Sequence, residues 1–155
     1  MARIHLTRRL PTSFEAARVA VSSVLTDLAE RGAELDTEIL GFLVGRDVTL
    51  TVDDVVSVDR PLEVSVIAVR ISDAEHPHAF PSFVGEFELV ATGECDVELA
   101  LEGDYHPPAG AAGAAIDLMG LHTVAEKAMR GFFDEIVRRV ENAAHSSDAL
   151  RGVPI

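Results

Sequence analysis

The chain has 155 residues, 48% of them hydrophobic and 25% charged, with a formal charge of −13 from 13 basic and 26 acidic side chains. That length suits one domain with a real core, and the composition is that of a folded globular protein rather than a disordered chain. The negative field repels phosphate backbones and anionic lipid, which argues against nucleic acid as a partner and against membrane insertion. Twelve of the 13 basic residues are Arg and only Lys127 is Lys, a usage that suggests a GC-rich bacterial genome. The single cysteine, Cys95, excludes an internal disulfide and any zinc site built on two or more cysteines, and it fits a reducing cytoplasm. Met1 to Leu10 lacks the apolar stretch of a signal peptide, and no apolar run approaches the ~20 residues needed to span a bilayer.

Arg3 to Leu10 alternates Ile4 and Leu6 with Arg3, His5 and Thr7, the pattern of a half-buried strand ended by Pro11. Thr12-Ser13-Phe14-Glu15 matches a capping box with Thr12 as the cap. Phe14, Ala17, Val21, Val24, Leu25 and Leu28 then form one apolar stripe at helical spacing, and Gly32 is the natural stop. From Glu34 to Tyr105 the period is two. Ile39 to Val44 is a short apolar run, and Val48, Leu50 and Val52 alternate with polar partners. Val56 and Val58 keep the same parity, and Pro61 breaks the chain. Leu62, Val64 and Val66 lie on one parity and Ile67, Val69 and Ile71 on the other, which predicts a bulge or burial on both faces.

Asp73 to Pro81 reads as a loop. Phe83, Phe87 and Leu89 alternate with Glu86 and Glu88, and Gly93-Glu94 reads as a hairpin turn. Cys95, Val97, Leu99, Leu101, Gly103 and Tyr105 form the inward side of the clearest strand, which places the Cys95 thiol in the interior. Its other side, with Asp96, Glu98, Glu102 and Asp104, must face water. Strands without helices between them argue for an antiparallel meander. After the break at Tyr105 to Gly110, a long helix runs from about Ala111 to Ala144, with Leu118, Leu121, Ala125, Met129, Phe132, Ile136 and Val140 as its stripe. Residues 1–145 are expected to form one domain and 146–155 a frayed tail. The predicted class is α+β: a curved antiparallel sheet wrapped around a long C-terminal helix.

Two stretches carry a family likeness. Phe80-Pro81-Ser82-Phe83-Val84-Gly85-Glu86-Phe87 is one. The other is Gly103-Asp104-Tyr105-His106-Pro107-Pro108-Ala109-Gly110, followed by Gly113, Asp117, Val124-Ala125 and Phe132-Phe133. They resemble the START-like helix-grip superfamily (SRPBCC), which includes the birch-pollen allergen, and within it a bacterial polyketide cyclase/dehydratase-like branch of mostly unknown activity. The resemblance implies the helix-grip fold and binding of a small apolar molecule between the sheet and the last helix, with catalysis in some members only.

The residues themselves support a hollow. Aromatic side chains make up 5% of the chain, seven Phe and one Tyr, and Ala125 and Ala128 place small residues on or beside the helix stripe. The expected cavity is lined from the sheet by Phe83, Phe87, Leu99 and Leu101 and from the helix by Leu121, Met129 and Phe132. A solidly packed core is the competing expectation. His122 lies about 40° from Leu118 around the helix axis and can act as a base or a hydrogen-bonding group toward a ligand. Tyr105 ends its strand on the inward parity and can do the same with its hydroxyl, or can anchor the turn that follows.

Asp73, Glu75, His76, His78 and His106 are the only concentration of possible metal ligands, and a solvated loop is the expectation for them. Gly103, Gly110 and Gly113 do not form a phosphate loop, because Pro107 and Pro108 remove backbone donors. No catalytic residue, metal site or cofactor is assigned. The function expected is binding of a small hydrophobic ligand of lipid, polyketide or isoprenoid kind by a cytoplasmic monomer or homodimer. The alternatives are a polyketide cyclase/dehydratase using His122, Tyr105 or His106, and a protein-interaction module.

Overall fold

The structure, a computed structural model, describes residues 2–39, 42–58, 63–73, 75, 82–106 and 118–151. Its elements are β1 (Ala2–Leu10), α1 (Phe14–Arg31), β2 (Ala33–Ile39), β3 (Phe42–Val58), β4 (Val64–Asp73), β5 (Ser82–Gly93), β6 (Asp96–His106) and α2 (Leu118–Arg151). All six strands form one sheet in the order β1-β6-β5-β4-β3-β2, and every neighbouring pair is antiparallel. Strands β2 to β6 are a meander. The chain crosses from one sheet edge to the other through α1, so β1 and β2 are the two edge strands.

β1 alternates as its sequence requires, with Ile4, Leu6 and Leu10 buried and Arg3, His5, Thr7 and Arg9 exposed. Arg8 shares the parity of the buried residues yet is exposed, and its guanidinium donates to Asp134 Oδ1 of α2 at 2.7 Å. α1 begins one residue later than the capping-box reading placed it. Ser13 is the N-cap and accepts from the Ala16 amide at 3.3 Å, and Glu15 is engaged instead by Arg18. Thr12 is buried, and its hydroxyl has no protein partner. The apolar stripe of α1 is buried throughout, and Gly32 ends the helix at φ 79°, donating to the Leu28 carbonyl at 2.9 Å. Glycine reaches that left-handed conformation without the clash a Cβ brings.

The parity switch in β4 reflects burial on both faces, full on one and partial on the other, not a bulge. Ser65, Ile67, Val69, Ile71 and Asp73 are buried, while Val64 and Val66 are half-buried on the other side. The irregularity lies instead in β3, between Val52 and Val55, opposite Val69 and Ile67. Between β5 and β6 the register shifts between Ala91 and Gly93, so the turn is Glu94-Cys95 and the thiol is exposed, not interior. A strand's alternation stops where its ladder stops, and Cys95 lies one residue beyond it. Thr92 holds the turn by donating to the Asp96 carboxylate at 2.9 Å.

α2 has 34 residues and continues to Arg151 instead of fraying at Ser146. The sequence places no Gly or Pro between Gly131 and Gly152, and the Ser146 and Ser147 hydroxyls satisfy the Asn142 and Ala143 carbonyls. Among the described side chains of this helix, Ala144 is the last buried one. The backbone of α2 packs against α1 and against both edge strands, β1 and β2, so the sheet wraps it from two sides.

Gly85 and Gly103 face each other in register on the inner side of β5 and β6. A methyl group on Gly85 would overlap the Glu102 carbonyl oxygen and lie 2.8 Å from the Gly103 Cα. Inward directions converge here because the sheet is bent toward α2. Gly85→Ala therefore destabilises the fold by about 1–3 kcal/mol or more, the range of overpacked sites. Urea denaturation of the variant checks this, with the loss read in the midpoint at unchanged slope.

Candidate functional site

The inner face of the sheet is built by three rungs of β5 and β6: Phe83 opposite Tyr105, Phe87 opposite Leu101, and Leu89 opposite Leu99. All six side chains are buried. All six are expected from the alternation alone, because each sits on the parity facing the helix. From α2, Met129 and Phe132 are buried as expected. Leu121 and His122 belong to the α2 backbone, and their side chains lie outside the described residues. His106 occupies the outer parity of β6 and is half-buried there, so it does not join the inner wall.

Phe133 was not foreseen. Its ring lies parallel to Phe87, with centroids 6.5 Å apart and planes at 16°, and this pair closes the space between sheet and helix at its level. A seven-residue stripe misses Phe133 because α2 is flanked by α1 on one side and the sheet on the other. Ala128, Phe133 and Val137 widen its buried arc accordingly. Ser65 and Asp73 were also missed as inner-wall groups. Ser65 is buried with its hydroxyl unpartnered by protein, and Asp73 accepts the Glu75 amide at 3.0 Å. Their parity with Ile67, Val69 and Ile71 was the available signal.

Charge is concentrated elsewhere. On the outer face, β1 and β6 lie side by side, and Arg3 pairs with Glu102, His5 Nδ1 stands 3.5 Å from Glu102, and Arg9 stands 3.8 Å from Asp96. The Arg3 hydrogen bond holds the Glu102 carboxyl below the usual carboxylate range, and Glu102 in turn raises Arg3. The acidic face of β6 is thus partly neutralised by the basic N-terminal strand. On α2, Glu135 accepts from Arg138 at 2.7 Å and from Arg139 at 2.8 Å, while Arg139 reaches Asp27 of α1 at 4.0 Å.

Among the described residues no three His, Cys, Asp or Glu side chains come together as a metal site. Glu75 is exposed and Asp73 buried, and His76 and His78 lie outside the described residues. No described helix is long and apolar enough to cross a membrane. Described residues form depressions at two places on the helices. One is an open groove of about 500 Å³ along α1, with Arg18, Val19, Ser22 and Asp27 on its wall. The other is a crevice of about 10 Å³ between the β1–α1 turn and α2, at Thr12, Val140 and Ala144. Neither lies between α2 and the middle of the sheet. The inner wall is apolar, with the Tyr105 phenol, the Ser65 hydroxyl and the Asp73 carboxyl among its polar groups.

No protein-family model and no curated protein matches the chain. Solved structures do. A conserved protein from Geobacillus kaustophilus is 12% identical, with a TM-score of 0.55 over 94% of this chain and 96% of that one. The chain has the helix-grip fold. The Zhui aromatase/cyclase from Streptomyces sp. R1128 is 17% identical, with a TM-score of 0.45 over 96% of this chain and 94% of that one. Ara h 8.0201 is 13% identical, with a TM-score of 0.40 over 93% of this chain and 97% of that one. The likeness is one of fold, as the two sequence stretches implied.

Among the described residues, the most strongly displaced carboxyl belongs to the α2 surface. Glu135 is lowered from 4.5 to about 2 by the hydrogen bonds from Arg138 and Arg139. A depressed folded-state value adds stability that is complete above the unfolded value and is lost as the pH falls from about 4.5 to 2. The pair is solvent-screened, so Glu135→Gln costs only about 0.2–1 kcal/mol at pH 7. The difference between the two proteins in thermal midpoint should vanish as the pH approaches 2. A difference that stays constant with pH would assign the effect to packing.

Proposed function

We propose that the protein binds a small neutral hydrophobic molecule, of lipid, polyketide or isoprenoid kind, between α2 and the concave side of the sheet, and that it carries this molecule without converting it. The observation that supports the reading is the stand-off of the helix. The α2 backbone packs closely against α1, β1 and β2 but less closely against β4, β5 and β6. At the level of Phe87 that gap is bridged by Phe133. Two turns nearer the start of α2 the buried residue is Ala125, and Ala128 lies one turn away. By the rise of ~1.5 Å per helical and ~3.3 Å per strand residue, Ala125 is about as far from Phe133 as Phe83 is from Phe87. By this reckoning Ala125 falls near the level of the Phe83–Tyr105 rung, with Met129 the next large buried side chain of α2 among the described residues, and the guest is placed beside these alanines.

A guest burying roughly 300 Å² of apolar surface gains about 7 kcal/mol before association costs, which sets affinity near the micromolar range at best. The absence of an ionised partner on most of the wall favours an uncharged guest, since an unpaired buried charge is costly.

Titration with the neutral fluorophore 1-aminoanthracene should give a saturable signal. No saturation up to about 1 mM, a gain of less than about 4 kcal/mol, removes the proposal. Ala125→Leu discriminates cavity from solid core. In a cavity the added side chain fills space, so the variant keeps its thermal midpoint and loses fluorophore binding. In a packed core the same change costs about 1–3 kcal/mol.

A further inference from the structure

Phe83 stands two residues before Gly85 on β5, on the same face of the sheet. A methyl group on Gly85 would lie 2.7 Å from the Phe83 Cζ, and one on Gly103 would lie 2.6 Å from the same atom. The tip of the ring therefore rests over both glycines, in the space that two facing side chains would otherwise fill. The side chain leans along its strand instead of standing up toward α2. Phe83 is 1% exposed, so this seat is an interior one.

We infer that the Gly85–Gly103 seat sets the depth of the cavity proposed above, and that Phe83 is its specificity-determining residue. The inference rests on that reading of the space between sheet and α2. With any larger residue at Gly85 or Gly103 the ring would be lifted by the bulk of the new side chain and would close the space beneath Ala125. Seated on two glycines, the ring lies flush and becomes the floor on which the guest ends. The sheet thus limits the length and bulk of a neutral apolar guest by one side chain, and replacing that side chain moves the limit.

Two measurements test this. In proton NMR of the wild-type protein, the Hα resonances of Gly85 and Gly103 should be displaced from their ordinary positions by the Phe83 ring current and should move back in Phe83→Leu. Ordinary positions in the wild type would overturn the seat. The second measurement is displacement of 1-aminoanthracene by straight-chain alkanols from hexanol to dodecanol. Each methylene that finds room tightens binding about fourfold. In the wild type this gain should stop at a chain length set by the ring. In Phe83→Ala it should continue for about two more carbons, and in Phe83→Leu, the variant that keeps the core better filled, for about one. Gains that stop at the same length in all three proteins overturn the role of Phe83 while the cavity stands. Failure of every alkanol and of the fluorophore to bind the wild type overturns the cavity, and this inference with it.

Discussion

Two strand backbones that converge on their concave side leave no room for a Cβ between them. At Gly85 and Gly103 that space is taken by the Phe83 ring and by the opposite strand's own carbonyl oxygen. The bend that this permits lets a six-stranded sheet bring both of its edge strands to a single helix. Edge strands β1 and β2 would otherwise present unpaired backbone and exposed inner faces. A flat sheet would touch α2 along its middle strands only, and no space between helix and sheet would be left to occupy.

The helix answers the bend with buried side chains of uneven size. Ala125 and Ala128 come first, Met129, Phe132 and Phe133 follow in its middle, and Ile136, Val137, Val140 and Ala144 lie toward its end. Where the helix carries a large ring it meets the sheet directly, as Phe133 meets Phe87. Where it carries alanine, filling falls to Met129 beside them, to the sheet and to α1, which also packs on β3, β5 and β6. Phe83 is held down by its own glycine seat, so it fills less of the gap than its volume suggests. Packing and function therefore turn on the same few residues.

The charge of the chain is arranged so that it does not compete with this interior. The acidic outer side of β6 faces the basic side of β1, so that Glu102, which sits directly opposite Glu86 on the other flank, has Arg3 to offset that repulsion. The remaining pairs near α2, Arg8 with Asp134 and Arg139 with Asp27, tie the helix to β1 and to α1 at the rim. Each is solvent-exposed and weak alone. Together they mark the seams along which α2 meets its neighbours.

Much of this was legible in the linear chain because hydrophobic period reports which face is dry. The strands β5 and β6, the stripe of α1, its glycine stop and the inward placement of Phe83, Phe87, Leu99, Leu101 and Tyr105 all follow from alternation or from helical spacing. Period alone cannot say where a ladder ends or where a bulge is absorbed. For that reason Cys95 falls into a turn, and the irregularity expected in β4 is taken up by β3. Two residues able to cap stand side by side at Thr12 and Ser13, and spacing alone does not choose between them; the helix beyond Ser146 persists because no residue there forbids it. The sequence by itself determined the element types and the dry faces, since these depend on neighbours within a few residues. Only the tertiary structure decided that Phe133 meets Phe87 and that Gly85 and Gly103 share one seat, since each depends on how far the sheet bends around α2.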